Sequence, residues 1–174
     1  MFRVFLVGLP GSGKSTVGKK ISKALKLKFI DLDQFIEQKE NCSIPDLFNI
    51  QGEAYFREAE KNALNELIES ESNFILSTGG GTPCFFTNMN SMLENGTVIF
   101  LKPPLGMISS RLAKAKKKRP LFKGLGSEEI EKKIQELFEK RKLQYEKAQI
   151  QFNQEDESFS ELISKLKNQY NKLL

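Results

Sequence analysis

The sequence predicts an α/β domain in which a parallel sheet is covered by helices on both faces. Short runs of apolar, β-branched and aromatic residues alternate with longer amphipathic segments along the chain, and this alternation is typical of β-α-β units. The short runs have few polar residues, as expected for strands that are buried on both faces. With 174 residues and no linker or repeat, we expect one domain spanning residues 1–174.

The first strand and the segment after it carry the most specific motif. A strand is predicted over residues 2–7, and residues 8–16 read GLPGSGKST, which matches G-x-x-x-x-G-K-[ST], the Walker A phosphate loop. A helix with one apolar face is predicted over residues 14–25. The alternative, a glycine-rich turn without a ligand, is disfavoured by this strand–loop–helix context.

The phosphate loop has a clear chemical logic. Glycines let successive N–H groups converge on one point, and the helix N-terminus adds positive charge there. Lys14 is placed to neutralise the outer phosphates of a nucleotide, and the Ser15 hydroxyl to ligate Mg²⁺. The residues that we expect to bind the phosphates are Gly11, Ser12, Gly13, Lys14, Ser15 and Thr16.

A second predicted strand, residues 28–33, ends in Asp31 and Asp33. On an extended chain these two side chains point to the same side. One carboxylate could then orient a Mg²⁺-bound water while the other takes a proton from an attacking hydroxyl. The alternative is that Asp33 caps a helix starting at Gln34. Beside a phosphate loop we favour the chemical role.

The region after the second strand is predicted to be helical. Two short helices are expected around residues 35–37 and 43–48, the second with Ser43 as N-cap and Pro45 in its first turn. Gly52 interrupts the pattern, and a longer helix follows over residues 53–68.

Arg57 and Glu60 lie one turn apart on that longer helix and can pair. One interpretation is a surface salt bridge of little energetic value. The other is that Glu60 holds the Arg57 guanidinium as a fixed fork for a substrate carboxylate. The sequence leaves both open.

A third strand, residues 73–77, is followed by Gly79, Gly80 and Gly81. Consecutive glycines lose conformational entropy on folding and add nothing to a core. A flexible linker fits poorly, because the run is short and is bounded by a strand and by Pro83. We therefore expect the main chain to approach a ligand closely here.

The next segment is strongly basic. A fourth strand is predicted over residues 97–101 and a helix carrying Arg111 over residues 105–113, followed by the lysine-rich residues 114–124. Such a run is usually a solvated face. In a phosphate-transfer protein it favours a mobile lid that brings Arg119 to the transferring phosphate.

The last third of the chain completes the alternation. A helix carrying Arg141 is predicted from residue 127 to about residue 147, a short fifth strand within residues 148–152, and a closing amphipathic helix over residues 158–174. The phosphate loop, the aspartate pair and the triple glycine each follow a different strand. Because ligands bind outside the carboxyl ends of parallel strands, these segments are expected to share one site.

Composition narrows the function classes. The chain has no histidine, which excludes zinc–histidine and Ser–His chemistry. The net charge of +5 fits either nucleic acid or a phosphate pocket. No apolar run approaches the ~18 residues of a membrane span, and no signal peptide is recognisable. Cys42 and Cys84 are expected to be free thiols in a reducing cytoplasm.

Taken together, these motifs resemble shikimate kinase, and the resemblance covers nearly the whole chain in the family's order. It is carried by residues 8–16, by Phe-Ile-Asp-Leu-Asp at 29–33, by Gly-Glu-x-x-Phe-Arg-x-x-Glu at 52–60, by Thr-Gly-Gly-Gly at 78–81 and by Arg-Pro-Leu at 119–121. The resemblance implies ATP- and Mg²⁺-dependent phosphorylation of the 3-hydroxyl of shikimate, a step toward chorismate and the aromatic amino acids. It also implies the nucleoside-monophosphate-kinase fold, with five parallel strands, a helical substrate-binding region at about residues 33–61 and a lid at about residues 112–125.

The resemblance assigns roles residue by residue. It implies that Asp33 binds the shikimate hydroxyls and serves as the base, and that Asp31 helps to hold the metal through water. Arg57 and Arg141 are implied to grip the carboxylate. The backbone of Gly79, Gly80 and Gly81 is implied to lie against the ring, and Arg119 to reach the phosphates.

Two segments depart from the family pattern. Leu112 stands where many relatives have an additional arginine, seven residues before the lid arginine, and either Arg111 or Lys114 is a candidate to replace its contact with adenine. Residues 153–157, where relatives complete the adenine site, are too divergent for assignment.

Two alternative functions remain open, namely another small-metabolite kinase of the same fold, such as a gluconate kinase, and a non-catalytic nucleotide or nucleic-acid binder. We expect a cytoplasmic monomer that binds neither nucleic acid nor membrane.

Overall fold

A computed structural model of the chain describes residues 1–114, 122, 124–153, 155 and 157–172. The sheet has five parallel strands in the order β2-β3-β1-β4-β5. The strands are β1 Phe2–Val7, β2 Lys28–Asp31, β3 Asn73–Ser77, β4 Thr97–Leu101 and β5 Ile150–Phe152. The predicted fold class is confirmed, as are the predicted bounds of the first, third and fourth strands.

Helices connect the strands, as parallel pairing requires. They are α1 Lys14–Leu25, α2 Leu32–Glu40, α3 Ile44–Ser70, α4 Asn88–Asn95, α5 Leu105–Lys114, α6 Ser127–Tyr145 and α7 Phe159–Asn171, with a 3₁₀ turn at Thr82–Cys84. None of these described helices is both long and apolar enough to cross a lipid bilayer.

The two faces of the sheet bury separate apolar clusters, because successive side chains of a strand point to opposite faces. Val4 and Leu6 of β1 pack with α1 and α7 on one face. Phe5 and Val7 of the same strand pack with the helices from α2 to α6 on the other.

The region around the second strand differs from the prediction. β2 ends at Asp31, and α2 begins at the next residue, Leu32. The extended geometry expected for the aspartate pair is therefore wrong, and Asp33 lies in the first turn of a helix. The alternative, a helix cap at Asp33, is also wrong, since the N-cap is Asp31, whose carboxylate accepts a hydrogen bond from the Gln34 amide at 3.4 Å.

The two helices predicted on either side of Gly52 run together as α3, with a kink at that glycine. Gly52 has φ 82° and ψ 173°, a conformation that breaks helical geometry and that glycine adopts readily. Ser43 is the N-cap and Pro45 lies in the first turn, as predicted.

One helix was not predicted. The sequence of α4, NMNSMLEN, is rich in asparagine, which has low helix propensity. Met89 and Met92, spaced three residues apart, are buried against the core. Tertiary packing on this apolar face outweighs the local preference.

Candidate active site

The glycine loop at residues 79–81 lies against the phosphate loop at the carboxyl edge of the sheet. A Cβ placed on Gly80 would lie 2.7 Å from Pro10 Cδ, so only glycine permits this approach. At the end of β1, the Leu6 carbonyl accepts hydrogen bonds from the Thr78 amide and hydroxyl, at 3.2 and 2.9 Å. Two of the three predicted segments therefore meet, as expected.

The phosphate loop has the conformation that its glycines make possible. Gly8, Gly11 and Gly13 all have positive φ, between 83° and 141°, and Gly13 is the N-cap of α1. The Lys14 Nζ donates to the Gly8 and Leu9 carbonyls, at 2.9 Å each. This arrangement presents backbone amides, a helix N-terminus and a seated cation at one place.

The Ser12 hydroxyl is a second sign of an anion site in this loop. It is fully buried and has no hydrogen-bond partner among the described residues. Buried hydroxyls usually have a partner, since leaving one unpaired costs ~1–3 kcal/mol. A phosphate oxygen would satisfy it, so the residues present fit a nucleotide. Thr16, by contrast, is exposed on α1.

Three oxygen-bearing side chains meet behind the loop. The Ser15 hydroxyl donates to Asp31 Oδ2 at 2.8 Å and lies 3.2 Å from the Ser77 hydroxyl. Asp31 and Ser77 are register partners on β2 and β3, which places them side by side. Hard oxygen ligands of this kind suit Mg²⁺. Ser77 was missed in the sequence, although its place at the last position of β3 was available as a signal.

Asp33 lies beside Gly79, the first residue of the glycine loop. A Cβ on Gly79 would lie 3.1 Å from Asp33 Oδ1 and 2.8 Å from Glu60 Oε1. Asp33 is half-buried. The third predicted segment therefore also reaches this edge, although from a helix and not from a strand.

Arg57 and Glu60 form a buried pair, so the interpretation as a surface salt bridge is wrong. Arg57 is 8% exposed and Glu60 0% exposed, and Arg57 Nη1 lies 3.0 Å from Glu60 Oε2. Arg57 also donates from Nε and Nη2 to Glu53 Oε1, at 3.2 and 2.9 Å. Of the five guanidinium N–H groups, this leaves two without a partner among the described side chains.

The Arg57 guanidinium also lies against the glycine loop. A Cβ on Gly81 would be 2.8 Å from Arg57 Nη1. Thr82 donates from its hydroxyl to Glu60 Oε1 at 2.5 Å. Glu60 therefore holds the arginine and the end of the loop at the same time. Thr82 and Glu53 were not predicted, although their spacing from the triple glycine and from Arg57 is visible in the sequence.

Burial raises the pKa of the Glu60 carboxyl. Arg57 and Thr82 act in the opposite direction, and the nearby charge of Asp33 adds to the increase, so the net pKa lies above the ordinary value of 4.5. Two carboxyls and a guanidinium are therefore electrostatically coupled around the glycine loop.

Arg141 approaches the same region from α6. It is half-buried, and its charge lowers the pKa of both Cys84 and Tyr145, although burial raises the pKa of each overall. Arg57 lowers the pKa of the Cys84 thiol too. Arg57 and Arg141, which the sequence predicted to bind one carboxylate, thus both lie near Cys84.

The predicted lid and the candidates for the adenine contact lie on α5 or outside the described residues. Arg119 and most of the predicted lid fall within residues 115–121 and 123, outside the described residues. Leu112 packs on the phosphate loop, since a Cβ on Gly11 would be 3.0 Å from its Cγ. Arg111 and Lys114 are exposed on α5.

A cavity of about 450 Å³ adjoins the phosphate loop at the carboxyl ends of β4 and β5. Its walls include Leu9 of the loop, Ile108 of α5 and Phe138 of α6, and its polar lining includes Gln151 and Asn153. It thus offers an apolar space with a few polar groups directly beside the predicted phosphate site.

The sequence and the fold are similar to those of known kinases. The family model described as "Shikimate kinase" matches residues 10–171. A shikimate kinase from Parabacteroides distasonis is 46% identical over 155 residues, which cover 89% of each chain. A crystal structure of shikimate kinase from Bacteroides thetaiotaomicron has a TM-score of 0.88 at 38% identity, with 98% of each chain covered.

A shikimate kinase from Acinetobacter baumannii in complex with shikimate has a TM-score of 0.84 at 31% identity, and covers 99% of this chain and 94% of its own. A gluconokinase from Sinorhizobium meliloti, at 14% identity and a TM-score of 0.56, shares the fold alone. With the family model spanning most of its length and close relatives matched almost end to end, the chain belongs to the shikimate kinase family.

Proposed function

We propose that this chain transfers the γ-phosphoryl group of ATP to the 3-hydroxyl of shikimate, at the carboxyl ends of β1, β2 and β3. As a member of a kinase family, the chain uses ATP. One observation carries the substrate assignment. The Arg57 guanidinium and the Asp33 carboxylate lie against the two ends of one glycine loop, at Gly81 and Gly79. Shikimate, a small triol acid, needs a cationic partner for its carboxylate and an anionic partner for its hydroxyls, and this loop has one of each beside it.

In this proposal the triphosphate binds at the phosphate loop. The amides of residues 11–16 hold the phosphates, the Ser12 hydroxyl donates to one of their oxygens, and Lys14 neutralises charge on the outer phosphates. Ser15 and Asp31, with Ser77 beside them, would hold Mg²⁺. When bound, the metal neutralises charge that develops on the phosphate oxygens. Arg119 remains a proposed contact to the transferring phosphate.

The acceptor is held by charge and by backbone. Arg57 offers its two remaining N–H groups to the shikimate carboxylate, and Arg141 adds a second cation. Gly79, Gly80 and Gly81 are buried, and a side chain on them would collide with Glu60, Pro10 or Arg57, so only glycine lets the main chain pack this closely against those residues. In this proposal the backbone of the loop also lies against the ring.

The chemical step needs positioning and one proton acceptor. Asp33 accepts the proton of the 3-hydroxyl as its oxygen attacks the γ-phosphorus. The bond from that phosphorus to the bridging oxygen of the β-phosphate breaks, and ADP leaves. The products are 3-phosphoshikimate and ADP.

We place the adenine base in the cavity of about 450 Å³ beside the phosphate loop. Leu9 lines both regions, so a nucleotide can extend from one to the other. Leu112 is buried against Gly11 and adds an apolar side chain beside the phosphate loop. Arg111 and Lys114 are exposed and remain candidates for a contact at the rim.

We further propose that the chain is monomeric and cytoplasmic, and that it binds no nucleic acid. The support is chemical, because the positive charge near the phosphate loop has a use in holding ATP. Size-exclusion chromatography with light scattering, and a DNA-binding titration at low salt, test these points.

The reaction is tested by ADP release with ATP, Mg²⁺ and either shikimate, gluconate or a nucleoside monophosphate. We expect turnover with shikimate alone. Turnover with gluconate or a nucleotide and none with shikimate would overturn the proposal.

The carboxylate assignment is tested by Arg57→Ala. We expect KM for shikimate to rise by at least about 10-fold, as for loss of a charged hydrogen bond, with KM for ATP little changed. Lys61→Ala is the matched control, because Lys61 is a cation one turn further along α3 that pairs with Glu58. An unchanged KM for shikimate in Arg57→Ala would contradict the assignment.

A further inference from the structure

Phe85 places an aromatic ring on the guanidinium of Arg57. It is the first residue after the 3₁₀ turn Thr82–Cys84, with extended backbone at φ −113° and ψ 145°. The Arg57 Cζ lies 4.0 Å from the centre of the Phe85 ring, and 5.0 Å from that of Phe56. The adjacent Phe86 contacts a different cation, with the Lys61 Nζ 4.6 Å from its ring centre.

The hydrogen bonds of Arg57 do not by themselves determine its orientation. Glu53 and Glu60 bind the guanidinium through N–H groups, which lie in its plane. Hydrogen bonds in that plane restrict translation of the guanidinium more than they restrict its rotation out of the plane. A ring 4.0 Å from Cζ restricts the tilt, because it contacts the guanidinium directly. The space on the Gly81 side is also limited, since a Cβ there would lie only 2.8 Å from Nη1.

The positive charge of Arg57 is also largely neutralised, because two carboxylates already pair with it. Its long-range attraction for a third carboxylate, that of a substrate, is therefore weak. What a substrate carboxylate meets is the remaining pair of N–H groups, and their value depends on direction and on exclusion of water. Phe85 is half-buried and Arg57 is 8% exposed, so the ring helps to keep this contact dry.

We propose that Phe85 is a positioning residue for substrate recognition, which orients the free N–H pair of Arg57 toward the shikimate carboxylate and shields it from water. This inference rests on the proposed function, in which Arg57 binds that carboxylate. Phe85 does not touch the reacting atoms, so it acts on binding of the acceptor and not on phosphoryl transfer.

The test is steady-state kinetics of Phe85→Leu, Phe85→Tyr and Phe86→Leu. A cation–π contact in a partly desolvated site corresponds to about a 2- to 30-fold change in binding. We expect Phe85→Leu to raise KM for shikimate within that range, with kcat and KM for ATP within about twofold of the parent chain. Phe85→Tyr should keep the parent KM. Phe86→Leu, with its ring 54% exposed, should also leave it unchanged.

A substrate without the carboxylate separates orientation of Arg57 from general damage. With the methyl ester of shikimate, the parent chain and Phe85→Leu should have the same KM within about twofold. Thermal unfolding of each variant shows whether it is folded. If Phe85→Leu is unfolded, KM for shikimate is compared between Phe85→Tyr and Phe85→Ile at reduced temperature instead.

Three results would overturn the proposal: an unchanged KM for shikimate in Phe85→Leu, an equal increase with the methyl ester, or an equal increase in Phe86→Leu. Arg57→Ala distinguishes this failure from that of the proposed function. If Arg57→Ala raises KM for shikimate and Phe85→Leu does not, only the role of Phe85 is lost. If neither does, the carboxylate site itself is misplaced.

Discussion

The Tyr145 hydroxyl donates a hydrogen bond to the Gly80 carbonyl at 2.5 Å, and so joins α6 to the glycine loop across 65 positions of sequence. The Tyr145 ring also stacks on Phe100 of β4, with ring centres 5.0 Å apart. Burial raises the pKa of Tyr145, so the hydroxyl stays protonated and donates throughout the neutral range. The helix that carries Arg141 is thus tied to the loop that we propose to contact shikimate.

Tyr145→Phe should destabilise the protein and weaken shikimate binding together. The variant leaves the buried Gly80 carbonyl without its donor, which costs about 1–3 kcal/mol. We expect that decrease in the free energy of unfolding by urea denaturation, with a higher KM for shikimate. Tyr170→Phe, on α7 at the opposite face of the sheet, is the control. Equal stability of Tyr145→Phe and the parent chain would show that the contact is not important.

Lys14→Met should abolish most turnover while the fold is kept. Removing one preorganised positive partner of a developing charge typically lowers kcat by about 10²- to 10³-fold. Kinetics give the rate, and far-UV circular dichroism reports the fold. Lys19→Met is the matched control, because Lys19 is an exposed lysine on the same helix, with its Nζ 5.8 Å from the centre of the Phe29 ring. A variant at position 14 with near-normal turnover would contradict the phosphate role of Lys14.

Substitutions of Asp31 and Asp33 should have different effects, the first on metal binding and the second on the rate of phosphoryl transfer. For Asp31→Asn we expect a higher Mg²⁺ requirement, because Asp31 is the carboxylate bonded to Ser15. For Asp33→Asn we expect kcat to fall by about 10²- to 10⁴-fold, the usual range for a lost general base, with ATP binding preserved. Mg²⁺ titrations of the rate and calorimetry with an ATP analogue measure both. If the two variants behave alike, the division of roles fails.

Glu60 should make stability depend on pH. Its pKa in the folded protein is raised above the ordinary value of 4.5, chiefly by burial. Between these two pKa values the folded chain retains a proton that the unfolded chain has lost, so the Glu60 contribution to the free energy of unfolding decreases as pH rises. Glu60→Gln removes this effect, and the stability of the variant relative to the parent chain should therefore rise with pH across that window.

Urea denaturation of both proteins between pH 4 and pH 8 measures this difference. A relative stability of Glu60→Gln that is constant or falls with pH would refute the expectation.

Much of the fold was predictable because its signals are local. The strands at residues 2–7, 73–77 and 97–101 were predicted at their observed bounds, since each is a short apolar run next to glycine, proline or a polar turn. The second strand was predicted too long. At Asp31 the capping preference of the carboxylate outweighs continuation of the strand, and this competition depends on how α2 packs.

The candidate site likewise has some features that the sequence predicts and others that it does not. The sequence alone predicts a phosphate loop, an α/β order of elements and the family to which the chain belongs, because each of these depends on consecutive residues with fixed spacing. Only the tertiary structure decided that Arg57 and Glu60 are buried together, that Ser77 joins Ser15 and Asp31, and that Phe85 covers the guanidinium. The reason is physical: burial and orientation are set by contacts between segments far apart along the chain, and spacing within one segment does not encode them.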